Sequence, residues 1–510
     1  MQIGTRRVAC ALLVGLTGAA ATLGVRAAAS QQSEIAEIQL QLANELFTEG
    51  RYPEALDAYQ RAVNSASPDD IRRPRAGLIM SALRLAEFDL ARTQAEAHVK
   101  ASPRDAEAVA LYADALWSSG LFEEAEVRYD EAVKIDPDLA RGRHGVARAL
   151  AARSKLPEAM EEAQAALRLA PRDLEIHHTI GTIFERMHNF EEAAASYSNY
   201  VNLLPNKDRS EKADWSRSEI KFLRSFGQRV PYELDPGAAD QTYTIDFRLV
   251  NEKVIVRAKV NEGSFQDFVV DTGAENTILS GPTAQRLGVT AITYTLSAGV
   301  GDVGLRGLQL ARINTLELGP LKLHNVPCMI KDPPLRNLPV KESESLSPLA
   351  LGFSMIIDYK TQKITFGKKL APEPYDFKLP LRMHRLAMVR GLVDGTQPAN
   401  FVVDTGGEVI SISQAVASSL NRPASSRRIA LQVFGSSGWD KDAFLMPGVS
   451  LAFDTIEYNN FPVVVLNLNT PSALLGFRLG GIVGHKFLSR YRVAIDLENS
   501  VLGLKQIAKG

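Results

Sequence analysis

The chain has 510 residues, 45% of them hydrophobic and 23% charged, and its 58 basic and 59 acidic side chains leave a formal net charge of −1. The length asks for two to four domains. The composition is that of a globular protein, and the balanced charge gives no basic footprint for a nucleic acid.

The first thirty residues stand apart. Arg6 and Arg7 precede an apolar run from Val8 to Leu16, small residues follow, and Ala27–Ala29 offers a small-residue cleavage site before Ser30. These three parts predict a signal peptide over residues 1–29 and an exported protein, periplasmic or extracellular. The alternative, an uncleaved N-terminal membrane anchor, meets a run interrupted by Gly15, Thr17 and Gly18 and short for a span. Cleavage would remove three arginines and no acid, leaving a charge of −4, and would remove Cys10, so that Cys328 is alone and no intrachain disulfide forms. Cys328 sits in the apolar run Asn-Val-Pro-Cys-Met-Ile, which reads as a buried, inert thiol.

A period follows. Pro103, Pro137, Pro171 and Pro205 are each 34 residues apart, and twelve residues before each stands an alanine: Ala91, Ala125, Ala159 and Ala193. Fifteen before each stands a large apolar residue: Phe88, Phe122, Leu156 and Phe190. Proline ends a helix, a small residue lets two helices approach, and a large one fills the space between neighbours. The pattern resembles the tetratricopeptide repeat, with about five copies over 36–207 and a capping helix near 212–226, so that 34–226 is expected to be an all-α solenoid. Such an array offers a concave face to a protein partner, or serves as a rigid spacer; the two readings stay open at this point.

Turn residues in 227–241 mark a linker, after which the chain alternates apolar and polar residues rich in Val, Ile, Phe and Thr, as strands do. Phe-Val-Val-Asp-Thr-Gly occurs twice, at 268–273 and 401–406, and 256–275 aligns on 389–408 without a gap. The unit of roughly 130 residues is therefore duplicated, with lobes expected at 242–370 and 371–510. Paired with the run Gly480–Leu504, this resembles the retropepsin-like aspartic proteases. The resemblance implies an all-β bilobal aspartic-protease fold behind the all-α tetratricopeptide solenoid. It implies a dyad of Asp271 and Asp404, supported by Thr272, Gly273, Thr405 and Gly406, with the two threonines interlocking the loops. It also implies a hydrophobic-hydrophobic-Gly run passing beneath each loop, for which Gly352 and Gly484 are the candidates.

Two carboxylates in close contact cannot easily both ionise, so one serves as base and the other as acid on a bound water; the aspartic-protease dyad is the standard example of this effect. Ala274 and Gly407, next after each Asp-Thr-Gly, carry no hydroxyl to hold a carboxylate charged, which predicts an optimum nearer neutral pH than that of a pepsin. Gly-rich stretches at 297–307 and 433–440 read as flaps, with Gly299, Gly301, Gly435 and Trp439 as candidate flap or substrate contacts. The copies diverge behind the flap: five residues separate Gly352 from Asp358 but eleven separate Gly484 from Asp496. The support behind Asp271 is therefore expected to be abbreviated, and a polar insert at 331–348 forms a loop or lid.

Eight scattered histidines, only His177 and His178 adjacent, show no metal-ligand spacing, and no phosphate loop is present, so no metal or cofactor is expected. The expected function is an exported aspartic endopeptidase acting on peptide or protein, its array free to hold a protein partner. Two rivals stand beside it: an inactive protease fold that binds peptide as an adaptor, and a homodimer in which lobes pair between chains.

Overall fold

The computed structural model describes residues 34–301, 305–331, 344–420, 422–423 and 427–507. The expected signal peptide and most of the 331–348 insert lie outside the described residues.

From 34 to 203 the described chain is five helix pairs. An inner helix at 34–48 and an outer one at Tyr52–Ser65 are followed by four further pairs. Outer helices end at Ala101, Ile135, Leu169 and Leu203, two residues before each periodic proline, because the residue before proline cannot easily stay helical. Asp105 and Asp173 start two inner helices by accepting the backbone N–H two residues on. Ala91, Ala125, Ala159 and Ala193 are fully buried where helices cross. The final helix, Glu211–Arg224, is capped by Ser210 and packs on the fifth repeat through Phe222 and Leu223, as expected of a cap. The superhelix curls enough for its ends to meet: the Asn206 side chain donates to the Glu49 carbonyl.

The β half is two lobes joined by a shared platform. Six antiparallel strands run in the order Phe377–His384, Val501–Gln506, Tyr491–Asp496, Ser354–Asp358, Lys363–Gly367 and Thr242–Asp246. Within this sheet the lobes meet where Met355–Ile357 pairs with Val493–Ile495. One continuous apolar core runs from Tyr243 to Leu504 through both lobes. The duplication persists in detail, since Asn325 and Asn460 occupy equivalent positions and both hold a left-handed backbone, φ 53° and 54°. The expected linker is partly structured, with Glu233–Leu234 adding a short strand against His324 and Leu323.

The array is docked on both lobes. On the second lobe, Trp117 and Phe122 enter an apolar cluster with Phe477, Leu386 and Leu479. Three arginines of that lobe reach acids of the array: Arg382 to Glu126 at 2.8 Å, Arg390 to Glu124 at 2.6 Å and Arg478 to Asp89 at 2.7 Å. On the first lobe, Phe226 packs with Leu310, and the Trp215 indole donates to Thr295 at 2.7 Å.

Candidate active site

Each Asp-Thr-Gly follows a strand, Phe265–Val270 or Gln397–Val403, whose last three residues are buried and which ends where the two lobes face each other. A parallel neighbour fixes each ending. Glu344–Leu346 pairs with Phe268–Val270, and Gly481–Val483 pairs with Phe401–Val403 in the same register. The Asp271 N–H then donates to the Leu346 carbonyl at 2.9 Å, and the Asp404 N–H to the Val483 carbonyl at 3.0 Å.

This register corrects the expectation for Gly352. Leu346 and Ser347 stand behind Asp271 where Val483 and Gly484 stand behind Asp404, while Gly352 lies at a turn beyond them, φ +69°, beside the Lys368 ammonium. The support behind Asp271 is complete, and the turn 348–352 takes the place of the short helix His485–Leu488. The first lobe carries Ser347 where the second carries Gly484. Gly484 follows Val483 behind Asp404, and a Cβ on it would lie 2.6 Å from the Gly407 carbonyl.

The loops are cross-tied by their threonines. The Thr272 hydroxyl donates to the Val403 carbonyl at 2.6 Å and accepts the Thr405 N–H at 3.1 Å. The Thr405 hydroxyl donates to the Val270 carbonyl at 2.7 Å and accepts the Thr272 N–H at 3.1 Å. Both threonines are buried, at 1% and 0% exposure, so these four bonds face no competition from water. The glycines let the carboxylates in: a Cβ on Gly273 would meet the Asp404 carboxyl carbon at 2.6 Å, and one on Gly406 would meet that of Asp271 at 2.7 Å.

Each carboxyl thus lies against the glycine of the opposite loop, and their surroundings differ. Asp404 Oδ1 accepts two backbone N–H groups, Gly406 at 2.8 Å and Gly407 at 2.9 Å; Asp271 Oδ1 accepts one, from Gly273 at 3.0 Å. Burial raises both acids. Asp271, with the neighbouring Asp404 charge added and one N–H fewer, rises to about 7. Asp404 is raised against the opposing pull of its two N–H donors and of Lys253. Asp404 thus has one more N–H donor than Asp271, and the two carboxyls titrate as a pair. Gly407 has no hydroxyl, but its backbone N–H donates to Asp404 in that role, a donor that residue type alone does not reveal.

Gly299, Gly301 and Gly435 lie where the flaps meet tip to tip. The hairpin of Ala291–Ala298 and Leu305–Leu318 comes from the first lobe, and a smaller one, Val433–Gly435 with Gly438–Asp440, from the second. Gly299 N–H donates to the Ser437 hydroxyl at 3.0 Å, and Ser437 N–H to the Val300 carbonyl at 2.9 Å. Residues 302–304 of the first tip lie outside the described residues. Trp439 lies on the second flap hairpin and packs edge-on against Phe434, ring centres 5.3 Å apart, and Phe434 lines the cavity under the flaps. Cys328 is buried, its thiol pushed up to about 12 by desolvation, as expected of an inert core cysteine. Among the described residues, no group of three His, Cys, Asp or Glu is placed to hold a metal ion.

Residues 256–355 and 389–479, one segment in each lobe, match the aspartyl protease family. The β half is a two-lobed aspartyl protease domain. In front of the protease domain, residues 16–71 and 77–140 match the tetratricopeptide repeat. Among solved structures, the protease half is similar to an aspartic proteinase from Irpex lacteus, at 12% identity and TM-score 0.35 over 52% of this chain and 98% of that one. The array is similar to a thermophilic tetratricopeptide protein of Thermus thermophilus, at 20% identity and TM-score 0.32 over 36% of this chain and 98% of that one. It is also similar to YrrB, described as having an unusual peptide-binding site, at 17% identity and TM-score 0.23 over 33% of this chain and 86% of that one. No curated protein matches the chain in sequence.

Proposed function

We propose that the chain is an exported aspartic endopeptidase that hydrolyses peptide bonds through a water held between Asp271 and Asp404. The observation that supports this most is the asymmetric pair itself: two contacting carboxyls, cross-tied by Thr272 and Thr405, with more N–H donors on Asp404 than on Asp271. In the resting state Asp404 carries the charge and takes a proton from the bound water as that water attacks the scissile carbonyl. Asp271 carries the proton and donates it to the carbonyl oxygen, so no charged tetrahedral species faces the apolar cleft unaided. As the C–N bond then breaks, the proton held by Asp404 passes to the leaving nitrogen and Asp271 takes back a hydroxyl proton from the tetrahedral diol, which restores the resting pair. No covalent acyl-enzyme is needed, because the nucleophile is water. The closed flaps exclude bulk solvent during these transfers.

Both half-sites lie in one chain, so a monomer suffices for the dyad. Export rests on the N-terminal pattern alone, and N-terminal sequencing of the protein recovered from a cell fractionation tests it: a mature start near Ser30 in an extracytoplasmic fraction is expected. Cleavage is tested with a peptide library on the full chain. Cleavage by the wild type that is lost in Asp404→Asn supports the reading, and a wild type that cuts nothing between pH 3 and 8 defeats it.

A further inference from the structure

The concave face of the array and the cleft over the dyad open into the same cavity, of about 2170 Å³. That is at least twice the upper end of an ordinary small-ligand pocket, ~1,000 Å³. Its floor holds Asp271 and Asp404 and its far wall is the inner helices of the repeats. The wall is periodic like the repeats themselves: Met80, Asp114, Arg148 and Thr182 recur every 34 residues and all line it, as do His144, His178 and Lys212.

Charge on this wall is largely cancelled internally. Arg141 pairs with Glu107 at 2.7 Å and Asp114 at 2.8 Å, Arg148 with Asp114, and Arg84 with Glu175. His144, facing Arg148, Asp114, Glu175 and Arg141, is held neutral at about 3 by burial, and His178, facing Glu175, Arg385, Lys212 and Arg84, is lowered by the same cause. The wall thus offers hydrogen-bonding groups without a dominant charge, which suits the repeating N–H and C=O groups of an extended main chain of varied sequence. Wall and floor are joined rigidly: Trp215 donates to Thr295 on the flap strand at 2.7 Å, and the Arg385 guanidinium lies 5.8 Å over the Trp215 ring while pairing with Glu275, four residues past Asp271.

We infer that the inner face of the array is the distal part of the substrate site, and that the substrate class is unfolded, extended polypeptide reaching from the dyad onto the repeats. The inference rests on the endopeptidase reading above and deepens it, since whatever the array holds is what the dyad cuts. A folded protein is excluded because its surface cannot enter a space walled by the array on one side and closed flaps on another. A short peptide is cut but forgoes the wall.

The test uses the full chain and quenched fluorescent peptides with one common central sequence, about 8 and about 24 residues long; extended chain spans ~3.3 Å per residue, so the longer one reaches the repeats. The expected kcat/KM is about tenfold or more higher for the long peptide, carried in KM. His178→Gln is expected to lower kcat/KM for the long peptide by a larger factor than for the short one. A disulfide-bonded protein is expected to be cut only after reduction and unfolding. Equal kcat/KM for the two lengths, or equal losses in His178→Gln, overturns the inference while leaving the endopeptidase reading standing. If neither peptide is cut, the endopeptidase reading fails, and the inference is judged by fluorescence anisotropy of the long peptide. Binding weakened by His178→Gln retains the wall as a peptide site, and absent binding removes both.

Discussion

Replacing Thr405 with valine isolates the cross-tie that sets the geometry of the pair. Valine keeps nearly the same volume, so packing around this fully buried position is preserved, but the hydroxyl is lost. The Val270 carbonyl loses its 2.7 Å donor and the Thr272 N–H loses its 3.1 Å acceptor. Each buried group left unpaired costs about 1–3 kcal/mol, so Thr405→Val is expected to destabilise the protease half by about 2–6 kcal/mol. Thr405→Ser keeps both bonds and gives up one methyl, at about 1 kcal/mol. The loss also frees the loops to separate, and a displacement near 1 Å between reacting groups costs on the order of 10²-fold in rate. The assay is urea unfolding followed by circular dichroism, read as the midpoint shift of the β-half transition, together with kcat on a cleaved peptide. A valine variant within about 0.5 kcal/mol of the wild type, with kcat unchanged, would refute the reasoning.

Asp271 is raised to about 7 in the folded chain against an ordinary value of about 3.9, so its contribution to stability is full below pH 4 and is lost as pH rises through 7. Asp271→Asn is therefore expected to raise Tm increasingly from pH 4 to 8; thermal melts across that range showing no pH-dependent gain contradict it. Because the second ionisation of the pair falls near neutrality, kcat/KM is expected to peak well above pH 2–3 and fall beyond about 7, as a pH–rate profile will show. Arg382, 3% exposed, reaches Glu126 and Glu123 of the array, and since Glu126 keeps Arg153 as a second partner, Arg382→Ala is expected to cost about 1.5–3 kcal/mol. Faster limited proteolysis between 227 and 241 is the expected readout, and unchanged cleavage rates count against the docked array. Phe434→Ala is expected to change the cleavage preference within a peptide library, and Trp439→Ala to leave it nearly as it was.

Much of this architecture was legible in the sequence because it repeats. The 34-residue spacing of prolines and alanines placed the helix pairs, and the doubled Phe-Val-Val-Asp-Thr-Gly placed two strands in register, since a buried strand that must end in a charged turn has little freedom of sequence. The parallel strand behind Asp271 was not legible. Glu344–Leu346 is three residues long, carries two polar side chains and is followed by serine, so no apolar run or glycine marks it, and the nearby Gly352 drew the assignment. Trp439 and Phe434 face each other across the same short hairpin; composition cannot say which of two cross-strand aromatics meets the cleft. The docking of the array was hidden for a different reason. Arg382, Arg390 and Arg478 and their acidic partners lie hundreds of residues apart and look like ordinary surface charges until the two halves are brought together.

The central claim is that water, activated by the two aspartates, cuts the peptide bond. Cleavage of a peptide by the full chain in heavy-oxygen water, followed by mass spectrometry, tests it most directly, with Asp271→Asn and Asp404→Asn alongside. One heavy oxygen in the new carboxyl group of the wild-type product, and no product from either variant, is the expected result. Cleavage that persists in either asparagine variant, or a wild type that yields no product at any pH tried, would contradict it.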